Sequence, residues 1–173
     1  MDNLPPIKLR AIEPEDLEIL YQIENNQELW NVGITNVPYS QFALHEYLAG
    51  ITGDIYTDKQ LRLIIEDAEG ETVGIVDLAN FVPQHRRAEV GIVIQERYRD
   101  RGFAKAALLH LIRYSHEVIH LHQMYAISDS QNENCLHVFE EVGFQIVAEL
   151  KSWLYDGVRY RDVTIMQFFL ENI

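Results

Sequence analysis

Apolar and polar positions change their period several times along the chain, and each change marks the boundary of a predicted element. Residues 7–12 alternate as a strand does, and residues 13–26 follow with apolar side chains at helical spacing. Ser40 precedes a second helical stretch, residues 41–51, whose first turn its hydroxyl would cap. Residues 53–58 follow neither period, so we predict a loop there.

The middle and the end of the chain are mainly strand-like. Residues 60–81 contain two apolar runs joined by a turn at residues 67–70, and residues 88–94 form a third run. A long helix is predicted over about residues 102–117. Beyond it we predict a strand at 123–129, a short helix at 132–142 that stops at Gly143, and a final hairpin with its turn at Asp156 and Gly157. This order predicts an α/β protein with a mixed sheet.

Composition narrows the class of protein. The 173 residues are 47% hydrophobic and 24% charged, as in a folded globular protein, and one domain over residues 1–173 is expected. No apolar run reaches the ~18 residues of a membrane span, and residues 1–10 lack the layout of a signal peptide. The single cysteine, Cys135, excludes an internal disulfide and fits a reducing cytoplasm, which is the predicted location.

The net charge of −13 changes the range of expected partners. It argues against nucleic acid or an anionic membrane as the main partner, because both are negatively charged. A cationic small molecule suits the charge better. An acidic composition also serves solubility alone, so the charge helps to choose among substrates and does not indicate a reaction.

The segment between the strand at 88–94 and the following helix concentrates positive charge in an acidic protein. The first amides of a helix have no partner within the helix and favour anions. Gly102 allows a close backbone approach, and Arg99, Arg101 and Lys105 add charge. We predict a pyrophosphate-binding loop here. The alternative is an ordinary glycine-containing loop with solvated arginines, and neither a P-loop nor a dinucleotide-binding glycine pattern is present.

Two motifs resemble those of the GNAT N-acetyltransferase family. The segment "RDRGFA", residues 99–104, resembles the family's Arg/Gln-x-x-Gly-x-Gly/Ala motif, and residues 132–144 resemble its Asn-x-x-Ala…Tyr-x-x-x-Gly-Phe motif. The resemblance implies the GNAT acyl-CoA N-acyltransferase fold, with a mostly antiparallel sheet flanked by helices, and acetyl-CoA as cosubstrate. It implies cofactor binding by a strand, a loop and the second motif: Ile92, Val93, Ile94, Arg99, Asp100, Arg101, Gly102, Phe103, Ala104, Lys105, Asn132 and Phe139.

Shorter pieces resemble the spermidine N-acetyltransferase branch of that family. The most telling is "HRRAE", residues 85–89, directly before the third apolar run. The resemblance implies a polyamine or diamine acceptor such as spermidine, a homo-oligomer, and no metal. Two alternatives stay open. Openings like "LRAIEPEDL" also occur in the branch that acetylates ribosomal protein N-termini, and a non-catalytic acyl-CoA-binding protein is a possibility of another class.

Acetylation of an amine needs a base, because a primary alkylammonium has a pKa near ~10. Glu89 matches the glutamate of "HRRAE" and is the candidate base. The alternative for Glu89 is a strand-edge residue paired with Arg86 or Arg87.

The position of the family's tyrosine proton donor falls on Phe139, which has no proton to give. The leaving thiolate, with a pKa around ~8.5, would depart without much help, and this is the explanation we favour. Alternatively Tyr125 on the adjacent strand, or water, replaces the donor, or the protein is a weak or repurposed enzyme. Tyr125 is therefore a second candidate catalytic residue.

The acceptor is expected to contact Asp77, Asn80 and Glu89. The spermidine branch carries acidic residues at two places. In this chain one of them is occupied by Asn80, and the other, residues 30–39, contains no acidic residue. The acceptor is therefore either a long polycation or a smaller or singly charged amine. Trp30, Trp153 and Tyr155 are candidates for lining the acceptor pocket, although such aromatic residues more often lie in a core or an interface.

Overall fold

The computed structural model describes residues 4–26 and 38–172 of the chain. The strands are β1 Lys8–Ala11, β2 Leu61–Glu66, β3 Thr72–Val82, β4 Arg87–Ile94, β5 Gln123–Asp129, β6 Gln145–Tyr155 and β7 Tyr160–Phe169. The helices are α1 Leu17–Glu24, α2 Gln41–Gly50, α3 Ile55–Asp58, α4 Phe103–Tyr114 and α5 Glu133–Glu141. Trp30 and most of the acid-poor segment at 30–39 lie outside the described residues.

The seven strands form one sheet in the order β1-β2-β3-β4-β5-β7-β6. Neighbouring strands run antiparallel except β4 and β5, which are parallel. The predicted mixed, mostly antiparallel sheet is confirmed. The parallel pair arises because α4 carries the chain from the end of β4 back to the start of β5, as parallel neighbours require.

Helices cover both faces of the sheet. Leu20 of α1 and Leu44 of α2 pack on Ile64 and Ile75. Residues of α4 and α5, among them Leu108 and Phe139, pack in the larger core on the opposite face. Successive residues of a strand point to opposite faces of the sheet. Because Ile75 contacts α1 and α2, every residue paired with it across the strands points to the face that these helices cover.

Local capping explains where the first two helices begin. Pro14–Asp16 form a 3₁₀ turn in which the Asp16 carboxylate accepts the backbone N–H of Glu13 at 2.7 Å. α1 continues directly from that turn. The predicted cap of α2 is confirmed, because the Ser40 hydroxyl accepts the N–H of Ala43 at 3.0 Å.

The prediction of a loop over residues 53–58 is wrong for its last four residues. Asp54 accepts the N–H of Tyr56 at 3.1 Å and the hydroxyl of Thr57 at 2.7 Å, which starts the one-turn helix α3. One turn is too short to give a hydrophobic period. The long helix also ends earlier than predicted, and residues 115–119 continue it as a π-turn. None of the described helices is long and apolar enough to cross a membrane.

Candidate active site

The parallel strands β4 and β5 separate after only three paired positions. Their register begins at Arg87 with Gln123 and ends at Glu89 with Tyr125. β4 runs on to Ile94 and β5 to Asp129 beyond that last pair. Beyond that pair the backbone N–H and C=O groups of β4 and β5 that face each other are not bonded across the two strands. A cleft therefore opens between β4 and β5 and widens away from Glu89 and Tyr125.

Glu89 and Tyr125 lie together on the face covered by α1 and α2. The register Ile75–Val93 and Ala79–Glu89 places Glu89 on the same face as Ile75, and Tyr125 is its partner across the pair. The structure thus brings the two predicted catalytic residues together at the point where the cleft opens.

Asn80 reaches this pair from a bulge in β3. The register between β3 and β4 shifts between Ala79 and Val82, and Asn80 has a φ of 49°. Asparagine tolerates this left-handed conformation better than most residues. Its side-chain amide donates to a carboxylate oxygen of Glu89 at 2.8 Å. The bulge therefore aims the Asn80 side chain at Glu89.

The environment of Tyr125 keeps its phenol protonated. Burial raises the pKa of Tyr125, and the charge and hydrogen bond of Glu89 raise it further. Arg87 and the Asn80 amide act in the opposite direction without cancelling the shift. The phenol of Tyr125 therefore carries its proton at neutral pH.

The other end of the cleft is the predicted anion-binding loop. Gly102 precedes α4 with a φ of 82°, and no side chain among residues 4–26 and 38–172 caps the helix. The N–H groups of Phe103, Ala104 and Lys105 form its first turn, where amides lack intrahelical partners. A side chain at Gly102 would place its Cβ 3.1 Å from Cδ of Pro5. The glycine is thus needed for both conformation and space, and a helix start of this kind can accept an anion.

A family model described as an acetyltransferase (GNAT) domain matches residues 7–145. The chain belongs to the GNAT acetyltransferase family. As a GNAT enzyme it uses acetyl-CoA as the cosubstrate, and the predicted family and fold are both confirmed.

One relative compared by sequence and two solved structures resemble this GNAT chain over nearly its whole length. The spermidine N(1)-acetyltransferase of Escherichia coli K12 is 30% identical over 169 residues, which are 98% of this chain and 89% of the relative. A Vibrio cholerae spermidine N-acetyltransferase solved with CoA and spermine superposes with a TM-score of 0.86 at 28% identity, covering 95% and 96% of the two chains. A dodecameric structure of spermidine N-acetyltransferase from the same organism has a TM-score of 0.80 at 28% identity, with 96% and 95% coverage.

The charged residues of the GNAT loop differ in their availability. The side chain of Arg99 is exposed and donates to the Ile94 carbonyl at 3.1 Å, and Asp100 is exposed with a φ of 58°. Arg101 lies 5.7 Å from the ring centroid of Tyr98 and 5.4 Å from that of Phe103. Lys105 forms an ion pair with Glu141 of α5 at 3.4 Å. A phosphate at Lys105 would therefore compete with that carboxylate.

A small recess of about 170 Å³ lies where β4 meets this loop. Val93, Ile94 and Arg99 line it, together with residues at the end of α1. Ile92 precedes them on the same strand and is partly buried against the larger core. A groove of about 630 Å³ lies elsewhere, at the β1 edge of the sheet, and none of the predicted site residues is among the described residues that line it.

Two predicted cofactor contacts from the second motif have structural roles here. The ring of Phe139 is 2% exposed and meets the edge of the Phe144 ring with centroids 5.0 Å apart. This buried position leaves little ring surface for a ligand, and the cofactor contact at Phe139 stays a prediction. Asn132 caps α5 by accepting the N–H of Cys135 at 3.1 Å. Burial raises the pKa of the Cys135 thiol, as expected for a packed residue and not for a nucleophile.

Asp77 is not a free carboxylate beside the cleft. Its oxygens accept from Arg62 of β2 at 2.8 Å and 3.3 Å, and Arg62 also pairs with Glu24 of α1 at 2.7 Å. Burial raises the pKa of Asp77, although Arg62 partly offsets the shift. The contact of Asp77 with the acceptor stays a prediction, and an acceptor there would share the Asp77 carboxylate with Arg62.

Arg62 itself was missed from the sequence. It interrupts the apolar run of β2, and a charged residue at a half-buried strand position needs a partner. That interruption was the available signal.

Trp153 and Tyr155, considered above for the acceptor pocket, are exposed on β6, which is the edge strand of the sheet opposite β1.

Proposed function

We propose that this GNAT enzyme transfers the acetyl group of acetyl-CoA to a primary amine of a polyamine or diamine, with spermidine as the leading acceptor. The observation that carries the proposal is the position of Glu89, a half-buried carboxylate at the mouth of the cleft between β4 and β5. The near full-length likeness to spermidine N-acetyltransferases supports the choice of acceptor.

The chain's own residues divide the work between two ends of the cleft. The first-turn amides of α4, Gly102 and the exposed Arg99 would hold the pyrophosphate. Bound acetyl-CoA supplies the acetyl group as a reactive thioester. At the other end, Glu89 accepts a proton from the acceptor's ammonium group, so that the nitrogen carries a free electron pair. Asn80 holds the Glu89 carboxylate in place through its 2.8 Å hydrogen bond.

The acids near Glu89 favour a cationic acceptor of modest length. Glu24, Arg62 and Asp77 form a hydrogen-bonded group on the same face, and two carboxylates against one guanidinium leave one negative charge. Together with Glu89 this group would attract a diamine or a polyamine end. Asn80 adds hydrogen bonding there without charge.

We propose further that the protein is a homo-oligomer and works in the cytoplasm. Apolar side chains are exposed on the β6–β7 hairpin, where Trp153 is 59%, Val158 89% and Tyr160 65% exposed. A clustered apolar surface of this kind is typical of an interface, and a second copy of the chain would cover it. The single cysteine fits a reducing compartment.

Thiol release from acetyl-CoA in the presence of spermidine, with mass detection of acetylated product, tests the function. We expect amine-dependent turnover, and a drop of about a hundredfold in kcat for Glu89→Gln with coenzyme A binding unchanged. Glu69→Gln, in the exposed turn between β2 and β3, is the matched control and should have no effect.

Two outcomes would contradict this function. Coenzyme A binding without turnover of any polyamine or diamine would leave a binding protein. Acetylation of a peptide N-terminus in place of the small amines would move the acceptor to proteins.

A further inference from the structure

The active site lacks the tyrosine that its second motif would supply. Phe139 occupies that position, and its ring is buried against Phe144. The sulfur that leaves during transfer still ends as a thiol, so a proton has to come from somewhere. The side chains assembled where β4 and β5 separate are Glu89, Tyr125 and Asn80.

We infer that Tyr125 is the proton donor of the transfer, and that Glu89 and Tyr125 form a proton relay positioned by Asn80. This inference rests on the proposed amine acetylation. Tyr125 forms the last parallel pair with Glu89, directly at the opening of the cleft. It would replace, from the opposite face of the sheet, the donor that Phe139 cannot provide.

The relay balances every proton. The acceptor enters as an ammonium, and Glu89 first passes one of its protons to solvent. The free amine bonds to the acetyl carbon as the carbon–sulfur bond breaks, and the second proton lost by the nitrogen goes to a carboxylate oxygen of Glu89. The Tyr125 hydroxyl gives its proton to the departing sulfur. Glu89 then returns its proton to the Tyr125 oxygen, so both side chains regain their starting states. The net change is one amide, one thiol and one proton released to solvent.

The groups around Tyr125 are suited to this role. Glu89 of β4 is paired with Tyr125 in the register of the two strands, and the Asn80 amide donates to the Glu89 carboxylate from β3 at 2.8 Å. Burial and the charge of Glu89 raise the pKa of the Tyr125 phenol, whereas Arg87 and Asn80 lower it. Gln167, the residue paired with Tyr125 on β7, is uncharged. The phenol therefore keeps its proton until the sulfur leaves, and the carboxylate that returns the proton is its neighbour across the strand pair.

The first test replaces only the hydroxyl. Tyr125→Phe should lower kcat about a hundredfold while the acceptor KM and the coenzyme A Kd stay within about twofold of wild type. The fall of activity at high pH should also disappear, since it reports the loss of the phenol proton. Tyr114→Phe, on the exposed side of α4, is the control and should match wild type. Unchanged kcat in Tyr125→Phe overturns the relay.

The second test does not use activity. With tyrosine labelled by ¹³C at the ring carbon bearing the hydroxyl, the signal missing from Tyr125→Phe identifies Tyr125 in NMR spectra. Its titration should move to lower pH in Glu89→Gln and to higher pH in Asn80→Ala, because Glu89 disfavours the phenolate and Asn80 favours it. Two unmoved titrations would overturn the coupling.

The two tests separate this inference from the proposed function. Absence of polyamine turnover by the wild-type protein contradicts the function, yet the NMR titrations still measure the coupling. Normal turnover by Tyr125→Phe contradicts the relay alone, and the leaving sulfur would then take its proton from water.

Discussion

At the scale of single residues, two backbone positions with positive φ frame the cleft. Asn80 takes φ 49° at the amine end and Gly102 takes φ 82° at the phosphate end. Only a few residue types adopt this conformation at low cost, so each end depends on one residue's identity. The asparagine supplies a functional amide, whereas the glycine supplies the absence of a side chain.

Replacement of Gly102 by alanine should damage cofactor binding more than folding. The added methyl would be strained in the left-handed region and would lie 3.1 Å from Cδ of Pro5. We expect a loss of about 1–2 kcal/mol in the free energy of unfolding. Coenzyme A affinity should fall at least about tenfold, because the first-turn amides shift. Urea unfolding and titration calorimetry measure the two effects.

Gly157→Ala is the matched control for that substitution. Gly157 has a φ of 94° in the β6–β7 turn, and its added Cβ would meet nothing within 4 Å. It carries the same kind of backbone strain far from the cleft. An equal loss of coenzyme A affinity in both variants would argue against a specific role for Gly102.

The sequence predicted the positions of those site residues that act singly. Glu89, Tyr125 and Gly102 lie where the sequence placed them, at the cleft mouth and at the start of α4. The pairing of Asp77 with Arg62 could not be predicted, because Arg62 lies on another strand and the pairing depends on register. The conformation of Asn80 depends on a bulge, which carries no clear signal in a single sequence.

At the scale of elements, an ion pair attaches α1 to the edge strand. Arg10 of β1 makes two hydrogen bonds to Asp16, at 2.7 Å and 2.8 Å, and also pairs with Glu66 of β2. Burial alone would raise the pKa of Asp16, but the bonds from Arg10 and the Glu13 amide hold it below its usual value. These bonds therefore fix the position of the start of α1 relative to β1 and β2.

Asp16→Asn should cost about 2 kcal/mol of unfolding free energy at neutral pH, because it removes charge-assisted hydrogen bonds. Since the pKa of Asp16 is lower in the folded state, its contribution is complete above about pH 4. It should fade as pH drops below about 4 and through the lowered folded-state pKa. Urea unfolding of both proteins across this range measures it. A difference that grew on acidification would contradict the assignment.

Elements with their own periodic pattern were predictable, and their long-range partners were not. The β2–β3 and β6–β7 hairpins follow from alternation and turn residues, and β5 has the predicted bounds. The separation of β4 from β5 does not follow from either strand's composition, since both are apolar. The pairing of β5 with β7 on its other side depends on the arrangement of the whole sheet.

At the scale of the molecule, the β6–β7 hairpin should mediate self-association. Val158→Glu combined with Trp153→Ser would place charge and polarity in the exposed apolar surface. We expect the oligomer to dissociate toward monomers in light scattering, with the far-ultraviolet circular dichroism spectrum unchanged. Phe42→Ser, an exposed apolar residue on α2, is the control and should leave the mass unchanged. A monomeric wild type would contradict the proposed assembly.

The net charge of −13 should act on the rate of acceptor capture. A negative protein attracts a polycation before contact, and salt screens that attraction as the Debye length falls from about 30 Å at 0.01 M to about 10 Å at 0.1 M. At saturating acetyl-CoA, kcat/KM for spermidine should therefore fall about tenfold over this range, while kcat changes little. A singly charged amine of similar reactivity is the control and should lose much less. Equal losses for both amines would place the salt effect on the cofactor loop, where Arg99 and Arg101 contribute charge, and would argue against capture of the acceptor by the field of the whole protein.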